Sequence, residues 1–532
     1  MKRYFYSFVT LLAVVLLASC SSEKDGTACL KLIPEDAALV MRIDLKSVGE
    51  AMDYQNDKEG KTMLKGLIDD MSDDKKVKDK LKSIIDNPAE SGISGDNPVY
   101  FYMAPNLSNV AGLVGTTGDR DKLVELLETI AEDGDLDDVE KYEGISCLAL
   151  DKAAFMVDDD WFYLGMGGDD LQERAKDLKE LVKADKAPIM EHNDFKALTE
   201  KKGQVQMLIS GFGLNSLINK SSILGSDAKQ IAKLAKEVLP GKLSDVSVLF
   251  DATFAKGSST GTAEVLTYSK EWKDAVGELD GIMGNISSEV AKYLSGDGLV
   301  MLANLDGDKT LALIEKLAAK FGQNLDNEDF NQVRQVLTAI NGNMGFGISD
   351  MVNDMVEGAL YISTKDASII DLIASSNDSD TKELTKNGDN DYTLYQYDYD
   401  YDYMTGDFVK TNLVGVTNFG YKQGYTYATF SDKEGSAPFT APAKAVPAVK
   451  GKGLYFYMGA SIFDKFDQGN SMENEVMKEM SKVYDFVELY YEGNGKMVVR
   501  TVLTDKTASV LKVYADIIKK AFEAGYARGR GL

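Results

Sequence analysis

Residues 395–403 read Tyr395-Gln396-Tyr397-Asp398-Tyr399-Asp400-Tyr401-Asp402-Tyr403, an alternation of phenol rings with polar side chains. Drawn as a β-strand, whose successive side chains point to opposite faces, the stretch sorts five tyrosines onto one face and Asp398, Asp400 and Asp402 onto the other. Two chemistries are open to such a ribbon. Rings such as Tyr397, Tyr399 and Tyr401 can stack on a glycan or a peptide, and the carboxylates can hold calcium. Same-face aspartates on a regular strand stand roughly 6.5–7 Å apart, too open for one cation without a bulge or help from Asp389, Asp391 or Asp407. The competing reading is an edge strand whose tyrosines pack and whose aspartates discourage pairing with another chain.

Catalytic constellations are harder to find. The chain has one histidine, His192, in the polar run Glu191-His192-Asn193-Asp194. Zinc hydrolase sites, Ser-His-Asp triads and Cys-His dyads all need an imidazole as ligand or base, so each would rest on this residue. No His-x-x-x-His, Cys-x-x-Cys or Gly-x-Ser-x-Gly spacing surrounds it, and a solvated histidine at a helix start is the expectation. Asn304-x-Asp306-x-Asp308 with Glu315 imitates a calcium loop, but Lys309 stands where the sharp turn needs glycine. At a strand-to-helix junction Asp306 reads as a cap. The run Asp69-Asp70, Asp73-Asp74, Lys75-Lys76 and Lys78 reads as a solvated helix face. No catalytic residue, metal site or cofactor is therefore assigned. The remaining enzymatic alternative is a carboxylate-dependent hydrolase acting on envelope or dietary polysaccharide, since two acids suffice for that chemistry.

Positioning these residues requires strands and helices in a repeated order. Residues 39–45 (Leu-Val-Met-Arg-Ile-Asp-Leu) form a short apolar strand, followed by Asp44 or Ser47 as a cap and a helix carrying Val48 and Met52. The same strand-cap-helix unit recurs at residues 204–218, 298–321 and 453–466. Hairpins follow at 245–268 and 486–503, each with an amphipathic helix behind it, 271–279 and 507–522. Looser copies run through 98–131 and 344–374. Between them lie divergent inserts: strands 142–150 and 154–166 before a helix over 171–182, and the tyrosine-rich residues 392–430. Three prolines make 436–452 an extended linker. The expectation is an α+β fold with largely antiparallel sheets, built by tandem duplication of strand-helix-hairpin-helix units. The halves are 32–285 and 286–532.

At 532 residues the chain can bury more than one core. Its 44% apolar and 27% charged residues are those of an ordinary globular protein. A net charge of −26, from 85 acidic and 59 basic side chains, repels nucleic acid and anionic lipid heads. At the N-terminus Lys2 and Arg3 precede an apolar run from Phe8 to Leu17 and then Leu17-Ala18-Ser19-Cys20, the layout of an export signal. Beyond it no apolar run approaches the roughly 20 residues of a membrane helix. Residues 1–19 are then a signal peptide and 20–31 a tether. Cys29 in that tether and Cys147 in the run 145–150 could pair in an oxidising compartment, but two separate thiols are expected.

Leu17-Ala18-Ser19-Cys20 resembles the lipobox of bacterial lipoproteins, which implies that the Cys20 thiol receives diacylglycerol and becomes the mature N-terminus. Residues 21–27 (Ser-Ser-Glu-Lys-Asp-Gly-Thr) loosely resemble the acidic tether that sends Bacteroidetes lipoproteins to the outer face of the outer membrane. With the opening Ile33-Pro34-Glu35-Asp36-Ala37-Ala38-Leu39-Val40-Met41-Arg42-Ile43-Asp44 and the repeats, the chain resembles a family of Bacteroidetes lipoproteins known only as a domain of unknown function. The resemblance implies an outer-membrane lipid anchor, facing periplasm or cell surface, and supplies no activity. The expected function is a non-enzymatic binding or scaffold module whose partner is a glycan or an envelope protein.

Overall fold

The structure, a computed structural model, describes residues 26–71, 74–104, 111–133, 138–150, 153–166, 170–219, 239–352, 355–375, 382–402, 407–431, 437–447, 449–462 and 479–517. It is an α+β protein of two compact units. One comprises Met1–Trp272 with Thr507–Lys512, the other Lys273–Lys506 with Val513–Leu532. The division falls at Trp272, ahead of the expected residue 285, and Thr507–Lys512 joins the first unit. Ser509 Oγ donates to Ala51 O at 2.6 Å and Lys512 Nζ to Asp57 Oδ1 at 2.8 Å.

In the first unit the strands are β1 (Leu39–Ile43), β2 (Val99–Met103), β3 (Ala111–Thr116), β4 (Glu140–Tyr142), β5 (Ile145–Leu150), β6 (Ala153–Val157), β7 (Trp161–Met166), β8 (Val205–Ile209), β9 (Val246–Ala255) and β10 (Ser258–Thr267). They pair antiparallel in the order β4-β5-β6-β7-β3-β2-β1-β8-β9-β10. Alternation along these strands sends neighbours to two cores. Val40, Tyr100, Tyr102 and Val114 pack under Leu30 and Leu32, under Ala175 and Leu178 of the helix Leu171–Val182, and under Phe195 and Leu198. Val99, Leu113 and Leu164 pack with Leu45, Ile84 and the Leu123, Leu126 and Leu127 stripe of the helix Arg120–Asp133. Helix starts are capped by acids: Asp44 accepts from Ser47 N at 2.9 Å and Asp170 from Glu173 N at 3.0 Å.

The tether is shorter than expected. Ala28–Leu32 is a 3-10 turn with Cys29, Leu30 and Leu32 buried, because its apolar side chains have a sheet face to cover. Cys29 and Cys147 are both buried in that one core, and burial pushes the Cys147 thiol up to about 11. The expected single strand over 142–150 is split, since Glu143 and Gly144 take positive φ (50° and 84°) and turn the chain from β4 into β5. The charge run is split too: one helix is Lys58–Met71, and Asp74 caps the next, Lys75–Asp86. Asp69 pairs with Lys82 at 2.5 Å.

The second unit has β11 (Leu299–Asp306), β12 (Ile340–Val352), β13 (Met355–Thr364), β14 (Lys382–Gly388), β15 (Asp391–Asp402), β16 (Asp407–Lys422), β17 (Tyr425–Ser431), β18 (Lys452–Gly459), β19 (Tyr484–Gly493) and β20 (Lys496–Leu503). Their order is β14-β15-β16-β17-β13-β12-β11-β18-β19-β20. Leu39-Val40-Met41 begins β1 and Leu299-Val300-Met301 begins β11. A walk across the ladders from Val40 meets Tyr102, Gly112, Gly165, Ala154 and Ala149. The same walk from Val300 meets Gly347, Ala359, Thr429, Asn418 and Thr393. In the other direction Val40 leads to Leu208, Leu249 and Glu264, and Val300 to Tyr457, Glu488 and Arg500.

Candidate functional site

The tyrosine-aspartate stretch lies in β15. Its inner part follows the order common to both units; its outer part does not. In the first unit the β5–β6 hairpin closes at Leu150 opposite Ala153. The corresponding hairpin continues past Leu394 opposite Thr417 to Asp402 opposite Asp407. Residues 395–402 and 407–416 thus pair as an arm at a place where the first unit has two residues, 151 and 152, between its paired strands. On its other side β14 reaches no further than Gln396, so among the described residues 397–402 are bonded to β16 alone.

Within the arm the alternation read from sequence holds where side chains are described. Tyr395, Tyr397 and Tyr399 are half-buried, and Asp398 and Asp400 are exposed. The Lys410 ammonium stands 3.3 Å from the centroid of the Tyr397 ring and donates to Glu383 at 2.7 Å. That hydrogen bond to Glu383 raises the pKa of the lysine. Two bulges, where the register steps from Gly415 to Leu413 and then to Lys410, put extra residues into β16 and turn its side chains. Leu413, opposite Tyr397, is left exposed beside the ring, and Val409, opposite Asp400, is exposed on the carboxylate face. Tyr401 and Asp402 continue the strand, but their side chains, like Tyr403 and Cys20, lie outside the described residues.

The calcium alternatives gain no support from geometry. Among the described residues no group of three His, Cys, Asp or Glu side chains gathers as metal ligands. The calcium-loop imitation is a cap: Asp306 accepts from Lys309 N at 3.1 Å, and Glu315 pairs with Arg334 at 3.1 Å.

Two cavities went unread in the sequence because each collects residues from distant segments. One, of about 300 Å³ in the first unit, is lined by Glu35, His192, Asp194, Ser210, Phe212, Asp245 and Tyr268 among others. His192 stands at the N-cap of the helix Asn193–Glu200 and is half-buried. Asp194 accepts from Ser247 Oγ at 3.0 Å. Burial, with the Asp194 and Glu264 carboxylates nearby, pushes the Tyr268 hydroxyl upward. The other cavity, of about 460 Å³, lies in the second unit against β12, β13 and β17.

Fold and arm together define an α+β protein whose distinctive feature, among the described residues, is an aromatic, acid-edged hairpin on a ten-strand order that occurs twice. The chain belongs to the family described as domain of unknown function DUF4836, whose model matches residues 30–431. Comparison with curated proteins finds no match. Crystal forms IV and III of TP0453 align at 12% and 14% identity over 45% and 49% of this chain and 80% and 89% of theirs. Both TM-scores are 0.28, a likeness that carries no argument. No helix among the described residues is long and apolar enough to cross a membrane.

Proposed function

We propose that this protein is a non-enzymatic lipoprotein of the cell envelope, anchored to the outer membrane through Cys20, that binds a glycan or an envelope protein with its hairpin arm. The single observation that carries the reading is the arm itself: residues 395–402 and 407–416 extend a pairing that in the first unit ends at Leu150 opposite Ala153. A scaffold gains nothing in core from such an extension, whereas rings held by cross-strand neighbours, with exposed Leu413 opposite Tyr397, suit contact with another molecule. We read the two units as a tandem duplication of one ancestral sheet; the matching strand order and the position-by-position register support it.

The test is a pull-down of envelope proteins and polysaccharides with the body from Ser21 onward, beside a variant in which 395–416 are replaced by the Asp151-Lys152 pair of the first unit. Retention by the native body and loss from the variant is the expected result. Equal retention would remove the arm from the function. A second reading, the carboxylate-dependent hydrolase, draws on the first-unit cavity, where Glu35, Asp194 and Asp245 share one wall system with His192. Release of reducing sugar from polysaccharide that disappears in Asp194→Asn would favour it.

A further inference from the structure

The two units differ at one patch of the sheet, and the difference is a missing ring. In the first unit Tyr102 is 2% exposed and its ring lies over Gly112: a Cβ built on that glycine would come within 2.6 Å of the ring. Tyr163 completes the patch, its hydroxyl 3.5 Å from that of Tyr102, and Arg174 of the helix Leu171–Val182 stands over the Tyr163 ring. In the second unit the register position of Tyr102 belongs to Gly347. That of Gly112 belongs to Ala359, and that of Gly165 to Thr429. Tyr427, in the place of Tyr163, donates its hydroxyl to Asp391 at 2.9 Å. The cavity of about 460 Å³ opens over Gly347, Ala359 and Thr429.

Its roof is fixed. Residues 437–447 cross the sheet as a strap where the first unit places a helix. Phe439 of the strap takes a left-handed φ of 62°, a conformation strained for a phenylalanine that persists only where the surroundings hold it. Here they do. Phe439 N–H donates to Tyr361 Oη at 3.0 Å, and its ring lies 5.1, 5.2 and 5.6 Å from those of Tyr361, Tyr293 and Tyr427. Gly296 N–H donates to Lys444 O at 2.8 Å and Lys444 pairs with Asp297 at 3.0 Å, which pins the far end.

The lining selects the ligand. Tyr293, half-buried, supplies aromatic surface, while Ser349, Thr440 and Glu357 supply hydroxyl and carboxylate oxygens; among the described residues no Lys, Arg or His side chain lines the space. Anions are therefore disfavoured. A neutral ring with an apolar face and hydroxyls at its edge suits the mixture, and the volume lies within the usual range of small-molecule sites. We infer that this second-unit cavity is a binding site for a neutral saccharide, seated on Gly347 and Ala359 in the space that Tyr102 fills in the first unit. The inference stands apart from the arm.

The experiment uses the full chain from Ser21 and four probes: glucose, N-acetylglucosamine, cellobiose and N,N′-diacetylchitobiose. Saturation-transfer NMR reads contact, and calorimetry reads affinity. At least one probe should bind the native protein, and binding should weaken about tenfold or more in Gly347→Tyr, which restores the ring. Because that ring must displace Leu294, 3.1 Å from the new Cβ, Thr440→Trp on the exposed rim of the strap gives a second obstruction without touching the core. Binding that survives removal of 395–416 but not Thr440→Trp supports the cavity. Binding lost with the arm and kept in Thr440→Trp assigns the sugar to the arm and overturns it, and so does silence from all four probes at millimolar concentration.

Discussion

Replacing Glu488 with leucine tests how the second unit tolerates a charge where the first unit has none. Glu488 is 1% exposed in β19, and its register counterpart in the first unit is Leu249, itself fully buried. One carboxylate oxygen accepts from Tyr455 Oη at 3.0 Å; the other accepts from Arg500 at 3.3 Å and Lys450 at 3.4 Å. Arg500 and Lys450 are 38% and 44% exposed, so water takes them back when the acid is removed, and each ion pair is worth about 0–1 kcal/mol after screening. Tyr455 has no such escape, being 0% exposed. Its stranded hydroxyl costs about 1–3 kcal/mol, which decides the sign, although removing a buried charge gives part of that back. Glu488→Leu should therefore destabilise by about 1–3 kcal/mol, Glu488→Gln by less because the amide oxygen still accepts, and Glu488→Leu with Tyr455→Phe should recover most of the loss. Urea unfolding followed by far-ultraviolet dichroism measures it. Tryptophan fluorescence reports the first unit separately, since Trp161 and Trp272, the chain's two tryptophans, both belong there. If the Leu and Phe substitutions add without coupling, the hydroxyl-carboxylate bond is not what holds Glu488 in place.

Alkali should destabilise the protein before it hydrolyses anything. Tyr54 and Tyr100 have their hydroxyls pushed by burial from 10.0 up to about 12, so the unfolded chain loses these protons first. The stabilisation is complete below pH 10.0 and is lost as pH rises to about 12, by about 2 kcal/mol for each tyrosine. A urea midpoint that stays level over that window would contradict the burial argument. Asp306→Ala should cost about 1 kcal/mol through loss of the cap on the helix Gly307–Lys320. Millimolar calcium should leave the melting temperature of both proteins unchanged, and a rise abolished by Asp398→Asn with Asp400→Asn would instead restore the metal reading of the arm. Cys20→Ala should release the protein from the outer-membrane fraction or stall its processing; a variant that still partitions with membranes like the native protein would refute the single-anchor proposal.

Elements with a strong periodic signal were legible. The helix Leu171–Val182 is where its cap Asp170 and apolar spacing put it, and the two-residue turn before β20 announces itself as Asn494-Gly495. β14 was not legible, because Lys382–Gly388 has no apolar face and every residue of it is exposed. It is a strand only through its ladder to β15. The helix Glu328–Ala339 was likewise missed, its stripe being interrupted by Asn331, Gln332 and Gln335. The arm's residues could be named in advance, but its extent could not. That depends on which strand pairs with which, and pairing is a property of the ladders rather than of any short window.

The same limit explains why both cavities escaped the sequence while the repeat did not. A strand-cap-helix unit is local, and Leu-Val-Met followed by an acid occurs in both β1 and β11. A missing tyrosine is not local. Gly347 in Asn343-Met344-Gly345-Phe346-Gly347 reads as a flexible spot in a strand; only its register against Val300 and Ala359 puts it where Tyr102 stands in the first unit. On the duplication reading, the departures from the common plan fall together in the second unit: Gly347 for Tyr102, a strap for a helix, Glu488 for Leu249, and an arm for a closed turn. A core with an open position where a ring could pack, and with a buried acid, carries a cost in stability that packing alone does not reward. The second unit is accordingly where ligand chemistry should be sought first, and the first unit, with Tyr102 and Leu249 in place, is its internal control.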